Sequence, residues 1–128
     1  MMRVRLETDA VYLILEHVQQ ANYDLIVSPT HLIEIGATTH EREDAELLLF
    51  LETFGMRPSW NLVEARKRAE ELCQLKFGPA DAAHIAFAEQ AADVFITCDD
   101  PLLKKCRKVG TNTVTMGPVE FCANEGLK

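Results

Sequence analysis

The sequence predicts an α/β protein in which helices pack on a small, mostly parallel sheet. Three short runs, residues 24–28, 93–97 and 112–116, are rich in β-branched and aromatic residues, as strands are. Longer segments with apolar residues at helical spacing separate them. Strands that alternate with helices are typical of a parallel sheet with helices on its faces. A chain of 128 residues is long enough for one domain with a buried core, so we expect a single domain over residues 1–128.

Two helices are predicted on either side of the first strand. Residues 6–20 carry apolar side chains three and four positions apart. The expected inward face of this helix is Leu6, Ala10, Leu13, Ile14 and His17 or Val18. After the strand, Ser28 is a typical N-cap and Pro29 a typical first helical residue, so a second helix is expected over residues 29–37.

A third helix is expected over residues 41–54. Its apolar run, residues 47–51, has no polar face, which predicts that this helix is deeply covered. Gly55 is expected to end this helix, and residues 56–60, which include a proline, are interpreted as a connector.

The fourth and fifth predicted helices follow directly on one another. Asn61 and Glu64 have the spacing of a capping box at the start of a helix over residues 61–77. The inner stripe of this helix is expected at Leu62, Ala65, Ala69, Leu72 and Cys73. Pro79 starts an alanine-rich helix over residues 79–92, whose small side chains allow a close approach to a sheet.

The last third of the chain contains the remaining two strands and one helix. That helix covers residues 100–109, with Asp99 or Asp100 as its N-cap and a proline in its first turn. After the third strand, residues 118–122 are expected to form a short closing turn.

Composition limits the classes of function. A net charge of −7 disfavours non-specific coating of nucleic acid, although a bound metal can supply positive charge locally. No segment approaches the roughly 20 apolar residues of a membrane helix, and the start has no apolar signal region, so a cytoplasmic location and no membrane partner are expected. The cysteines lack the spacing of a zinc site and are expected to be reduced and buried. They are Cys73, Cys98, Cys106 and Cys122.

Three carboxylates occupy positions where they could meet. Glu34 follows the first strand, Asp99 follows the second, and Asp81 lies near the start of the alanine-rich helix. Ligands of open α/β sheets bind at the carboxyl ends of the strands. A cluster of carboxylates there would select Mg²⁺ or Mn²⁺, which activates water for phosphodiester hydrolysis. Taken singly, each acid is better explained as a helix cap or a solvated charge than as a metal ligand, and only the combination of the three favours a metal site.

Other polar residues have both a structural and a functional interpretation. His84 lies one turn after Asp81 and is interpreted as a structural or supporting side chain rather than a ligand, since an all-oxygen site is hard. His31 and Glu34, three residues apart, share a helix face. The basic run in residues 104–109 either complements the end of a helix or contacts phosphates. The candidate nucleic-acid contacts are Lys104, Lys105, Arg107 and Lys108.

Three segments together resemble a known family. The stretches VSPTHLIEI, GPADAAHIAFAEQ and DVFITCDDPLLKK are similar, in order, to three signature segments of PIN domains. PIN domains are small metal-dependent ribonucleases, best known as the VapC-like toxins of toxin–antitoxin pairs. The resemblance implies a three-layer α/β/α, Rossmann-like fold, an Mg²⁺ or Mn²⁺ cofactor, hydrolysis of RNA and an antitoxin protein as a possible partner.

The resemblance also assigns site residues. It implies that Glu34, Asp81 and Asp99 are catalytic and bind the metal, with Asp100 as a further metal neighbour. Thr97 matches the family's Thr-x-Asp segment and is expected to orient Asp99 or a water at the metal.

One family element is not matched. PIN domains open with a strand that ends in an aspartate, whereas this chain begins in the segment that leads into the first helix; Asp9 lies inside that helix. We expect either that the natural protein starts upstream or that another segment or a partner chain replaces the strand, because strands left unpaired are costly. Both cases predict association, as a homodimer.

Two other functions fit parts of the sequence. The first is a catalytically inactive PIN-fold binding or interaction domain, which the missing strand favours. The second and weaker is a nucleotide-binding or receiver-like domain, based on the neighbouring Asp99 and Asp100.

Overall fold

The computed structural model describes residues 2–36 and 41–128, which form seven helices and four short strands. The helices are α1 Met2–Gln19, α2 Pro29–Gly36, α3 Glu41–Phe54, α4 Leu62–Gln74, α5 Pro79–Ala91, α6 Asp100–Val109 and α7 Pro118–Glu125. The strands are β1 Leu25–Ile26, β2 Gly55–Met56, β3 Val94–Ile96 and β4 Val114–Met116. The chain divides into two compact units, one formed by the residues up to Tyr23 together with Asp93–Lys128, the other by Asp24–Ala92.

The unit formed by residues 24–92 has its core between α4 and α5. Leu72 of α4 and Ile85 of α5 are completely buried. Helix α5 also packs on α2, and α2 on α3. Strands β1 and β2 pair in parallel, with Leu25 opposite Gly55. This arrangement connects the helix after β1 to the alanine-rich helix, which are the two elements that carry Glu34 and Asp81.

The other unit brings the two ends of the chain together. Helix α1 packs on α7, where the Cys122 thiol donates to the carbonyl oxygen of Ala10 over 3.5 Å. Strands β3 and β4 pair in parallel, with Val94 opposite Val114. Helix α6 packs on β4 and ends at Gly110, whose φ of 74° is the left-handed conformation that glycine adopts most readily.

Side-chain caps explain where α4 and α6 begin. The Asn61 Oδ1 atom accepts from the backbone N–H of Glu64 over 3.1 Å, and Asp99 Oδ1 accepts from that of Leu102 over 3.1 Å. Both predicted caps are confirmed. The predicted capping box at Asn61 is only half correct, because its own backbone N–H donates to Gln90 Oε1 of α5 over 3.1 Å instead of to the Glu64 carboxylate.

The α/β class is confirmed in coarse form, since the described residues are mostly helical with short parallel strands. The four strands form two separate pairs, whereas the sequence predicts three strands in one sheet. The additional strand is β2, at the start of the region interpreted as a connector. Among the described helices, none is both long and apolar enough to cross a membrane.

Several element boundaries differ from the prediction. Helix α1 begins at Met2, four residues before the predicted start, and α3 covers the predicted residues 41–54. The expected closing turn is the helix α7, started by Pro118 and ended by Gly126 in the left-handed conformation. Residue 37, the last of the predicted second helix, lies outside the described residues.

The predicted burial of α3 is wrong. Leu51 is buried, but Leu47 is 41% and Leu49 64% exposed. Within the described residues α3 packs mainly on α2 and β2, so only part of its circumference is covered. The same error, an apolar residue assigned to an inner face that is in fact exposed, occurs at Leu6, Leu62 and Cys73.

Two of the four cysteines are buried and two are exposed. Cys106 and Cys122 are buried as predicted, whereas Cys73 and Cys98 are exposed, so their predicted burial is wrong. All four lie in the described residues, where none is joined to another by a disulfide.

Candidate functional site

The start of α2 is a capping box in which an imidazole replaces the usual carboxylate. The backbone N–H of His31 donates to Ser28 Oγ over 3.4 Å, as the predicted cap requires. In return, the backbone N–H of Ser28 donates to His31 Nδ1 over 3.2 Å, and Ser28 Oγ lies 3.1 Å from the same nitrogen. Because Nδ1 accepts a hydrogen bond from an amide, it carries a lone pair and not a proton.

His31 also contacts the alanine-rich helix. Its ring centroid lies 4.6 Å from that of His84, with the two rings tilted by 44°. His84 Nε2 in turn lies 2.9 Å from Glu34 Oε1. Glu34 follows His31 by one turn of α2, so both helices contribute to one cluster: Ser28, His31, His84 and Glu34. We call this cluster the histidine pair site.

The two ends of this cluster differ in exposure. The side chain of His84 is only 13% exposed, whereas that of Glu34 is 51% exposed. Within the described residues, His84 Nδ1 is buried without a hydrogen-bond partner. A proton on Nδ1 would therefore be an unsatisfied buried donor, so the favoured neutral form of His84 carries its proton on Nε2, facing Glu34.

His31 is held in its neutral form. Burial lowers the pKa of His31, the neighbouring His84 lowers it further, and Glu34 opposes the shift by favouring a charged ring. The capping bond from Ser28 acts in the same direction, since protonation of Nδ1 would remove the acceptor.

We expect the free energy of unfolding to decrease as the pH falls below about 6.5, the pKa of an unperturbed histidine. Because the pKa of His31 is lower in the folded state, the unfolded chain binds more protons in this range, and acid favours unfolding. This contribution is complete above about pH 6.5 and is lost as the pH passes through the lowered pKa.

Urea denaturation between about pH 5 and about pH 8 tests this on the wild type and on His31→Gln. Glutamine at this position keeps an acceptor for the Ser28 amide and does not titrate. The wild type should show the steeper loss of stability in acid, and equal pH dependence in the two proteins would contradict the assignment to His31.

Asp81 lies in the first turn of α5, one turn before His84. It is half-buried, and the N-cap of its helix is Gly78, which has no side chain that could accept from the helix amides. Residues three apart on a helix are neighbours, with Cβ atoms about 5–6 Å apart. Glu34, Asp81 and His84 lie in the same compact unit, and Glu34 contacts His84, which follows Asp81 by one turn.

The remaining predicted acids have structural partners in the other unit. Asp99 caps α6, and its own backbone N–H donates to Thr97 Oγ1 over 3.1 Å, so Thr97 contacts the residue it was expected to orient. Asp100 Oδ1 accepts from Arg3 Nη2 over 2.7 Å. The hydrogen bond from Arg3 lowers the pKa of the Asp100 carboxyl. The helix-cap interpretation of Asp99 is thus correct.

The basic side chains of α6 are exposed, but one has a clear structural partner. Arg107 Nη2 lies 2.6 Å from Glu120 Oε1 and donates to the carbonyl oxygen of Thr115 over 3.2 Å. The other candidate nucleic-acid contacts, Lys104, Lys105 and Lys108, lie on the exposed side of α6. This side faces away from buried Leu102 and Cys106.

The sequence identified Glu34, Asp81 and His84 as residues of interest, but it did not predict that His31 and His84 touch. The Ser28-Pro-Thr-His31 spacing signals only the cap of α2, because it places a possible acceptor at the third helical position. In the described part of the chain, no three His, Cys, Asp or Glu side chains form a group that could hold a metal ion as they stand.

Comparison with known proteins found no matching family model, no similar curated protein and no similar solved structure.

Proposed function

We propose that this chain is a metal-dependent ribonuclease of the PIN type, with a three-layer α/β/α fold. The observation that carries the proposal is the contact between Glu34 and His84, which are 50 residues apart in sequence. It joins the helix after β1 to the helix that carries Asp81, as convergence of the carboxylates requires.

The donor set fits a hard divalent cation. Glu34 is half-exposed and has one oxygen on His84, so its second oxygen is available, and the half-buried Asp81 lies one turn before His84 on α5. Glu34 and Asp81, which lie in the same compact unit, would hold Mg²⁺ or Mn²⁺ through oxygen atoms. The bound cation would neutralise phosphate charge and lower the pKa of an attacking water.

The proposed substrate is RNA, contacted along its backbone by the basic residues of α6. The proposal further includes a cytoplasmic location, a homodimer, which the missing first strand favours, and an antitoxin protein as partner, as the resemblance to VapC-like toxins implies.

The decisive experiment is cleavage of a single-stranded RNA in the presence of Mn²⁺ by the wild type and by Asp81→Asn. A ligand that contributes several kcal/mol to charge stabilisation should cost at least about 100-fold in rate when neutralised. The matched control is Glu64→Gln, which neutralises an exposed acid in the first turn of α4 and should leave the rate unchanged.

Equal cleavage by the wild type and Asp81→Asn would remove the assigned site. Loss of cleavage in both Asp81→Asn and Glu64→Gln would show that the effect is not local to the site.

A second function is favoured by a specific observation. Asp99 caps α6 and Asp100 pairs with Arg3, so both acids have structural roles that need no metal. This favours a non-catalytic interaction domain that keeps the fold without the activity. Thermal unfolding with Mg²⁺ or Mn²⁺ separates the two, since a cation at 100 times its Kd stabilises the folded state by about 2.7 kcal/mol. An unchanged Tm at millimolar cation favours the interaction domain.

A further inference from the structure

The histidine pair site contains two imidazoles whose arrangement exceeds what helix packing requires. His84 is mostly buried in an otherwise alanine-rich helix, where its Nδ1 has no hydrogen-bond partner among the described residues. Burying a polar atom without a partner costs about 1–3 kcal/mol. An apolar side chain at this position would avoid the cost. What a histidine adds here is its other nitrogen, Nε2, which contacts Glu34.

The hydrogen bond from His84 to Glu34 defines the geometry of the carboxylate. Its 2.9 Å length is that of a charge-assisted N–H···O bond, and it uses one oxygen of a side chain that is otherwise half in solvent. A half-exposed glutamate samples several rotamers when free, so this bond selects one of them.

His31 determines the orientation of His84. The Ser28 amide fixes the His31 ring from one side through Nδ1, and the ring lies against His84 on the other. Because His31 is neutral, it packs on His84 without the repulsion that two charged imidazoles would have. The sequence of contacts runs from the start of α2, through both rings, to Glu34.

We propose that His84 is a positioning residue that fixes the Glu34 carboxylate through its Nε2 proton, and that His31 supports it by fixing the plane of the His84 ring. This inference rests on the proposed function in so far as Glu34 is a metal ligand. Hydrogen bonds that orient a ligating carboxylate typically contribute 10- to 100-fold in metal affinity.

The first experiment measures Mn²⁺ affinity by calorimetry on the intact chain. His84→Ala removes the donor and should weaken binding by about 10- to 100-fold. His84→Gln places an amide N–H near the position of Nε2 and should restore most of the affinity. A role in packing alone would not distinguish donor from non-donor in this way, so equal affinity in these two variants overturns the proposal.

Two variants test the support from His31. His31→Gln keeps an acceptor for the Ser28 amide but removes the ring, so it should preserve stability at neutral pH and weaken Mn²⁺ binding. His31→Phe keeps a ring against His84 but cannot accept from Ser28, so it should lose stability and retain affinity per folded molecule. The reverse pattern, or unchanged affinity in His31→Gln, overturns the role of His31.

A readout that needs no metal separates this inference from the proposed function. Nitrogen chemical shifts of the imidazoles at about pH 8 report the tautomer of each ring. We expect the proton on Nε2 of His84, with its signal displaced in Glu34→Gln but not in Glu64→Gln. A proton on Nδ1 overturns the proposal. A third outcome is the expected tautomer and displacement in a wild type that binds no Mn²⁺. It would support the His84–Glu34 hydrogen bond but reject both the metal site and the positioning role.

Discussion

Arg68→Met is expected to lower the free energy of unfolding by about 3–5 kcal/mol, because it removes the cation that binds a buried carboxylate through two hydrogen bonds. Arg68 of α4 binds Glu89 of α5 with two parallel hydrogen bonds, Nε to Oε1 over 2.8 Å and Nη2 to Oε2 over 3.2 Å. The Glu89 side chain is only 5% exposed, and that of Arg68 29%. This geometry is the strong, bidentate form of an ion pair.

Helix α4 supplies a matched control for this prediction. Arg66 pairs with Glu70 over 3.3 Å, but the two side chains are 85% and 66% exposed. Arg66→Met should therefore change the free energy of unfolding by less than about 1 kcal/mol. Urea denaturation of both variants gives the comparison. Equal values for Arg66→Met and Arg68→Met would show that burial of Glu89 does not govern the interaction.

A double substitution tests the physical cause. Arg68→Met combined with Glu89→Met removes both charges and fills the space with apolar atoms, so much of the lost stability should return. The pair joins α4 to the helix that carries Asp81 and His84. Under conditions where Arg68→Met is unfolded, a metal ion should therefore no longer stabilise it. A double variant no more stable than Arg68→Met would contradict this explanation.

Local chemistry explains which elements the sequence predicted well. Ser28, Asn61 and Asp99 each accept from the backbone amide three residues ahead, and such caps depend only on neighbouring residues. The α3 helix has the predicted bounds for a similar reason, because its composition favours a helix and Gly55 follows it.

Non-local contacts explain what the sequence did not predict. Strand β2 is Gly55–Met56, which has no β-branched residue, and it is extended because it pairs with β1 some 30 residues earlier in the chain. The exposure of Leu49 depends on which neighbours cover α3, and periodicity alone does not determine that. The contact between His31 and His84 requires α2 to pack on α5, so the spacing of residues within α2 could not reveal it.

Gly55→Ala is expected to destabilise the unit formed by residues 24–92 by about 1–3 kcal/mol or more. A Cβ atom on Gly55 would overlap the carbonyl oxygen of Leu51 and would lie 2.5 Å from Val27 Cγ2. The first obstacle is backbone and does not rotate away, so relief requires β2 to move. Val27 donates its backbone N–H to Met56 over 2.9 Å, and that movement would strain the bond.

Gly78→Ala is the matched control for Gly55→Ala, because the nearest atom to its added Cβ is Asp81 Oδ2 at 4.0 Å, an ordinary contact. It should lower stability by about 1 kcal/mol or less, because alanine is a weaker N-cap than glycine. Val27 directly precedes Ser28, so a shift of β1 in Gly55→Ala also displaces the capping box of His31 and, through His84, the position of Glu34. We therefore expect Gly55→Ala to weaken Mn²⁺ binding under conditions where it is still folded. Stability and affinity unchanged from the wild type would mean that β1 and β2 are not paired as described, and would remove the structural support for Glu34 with them.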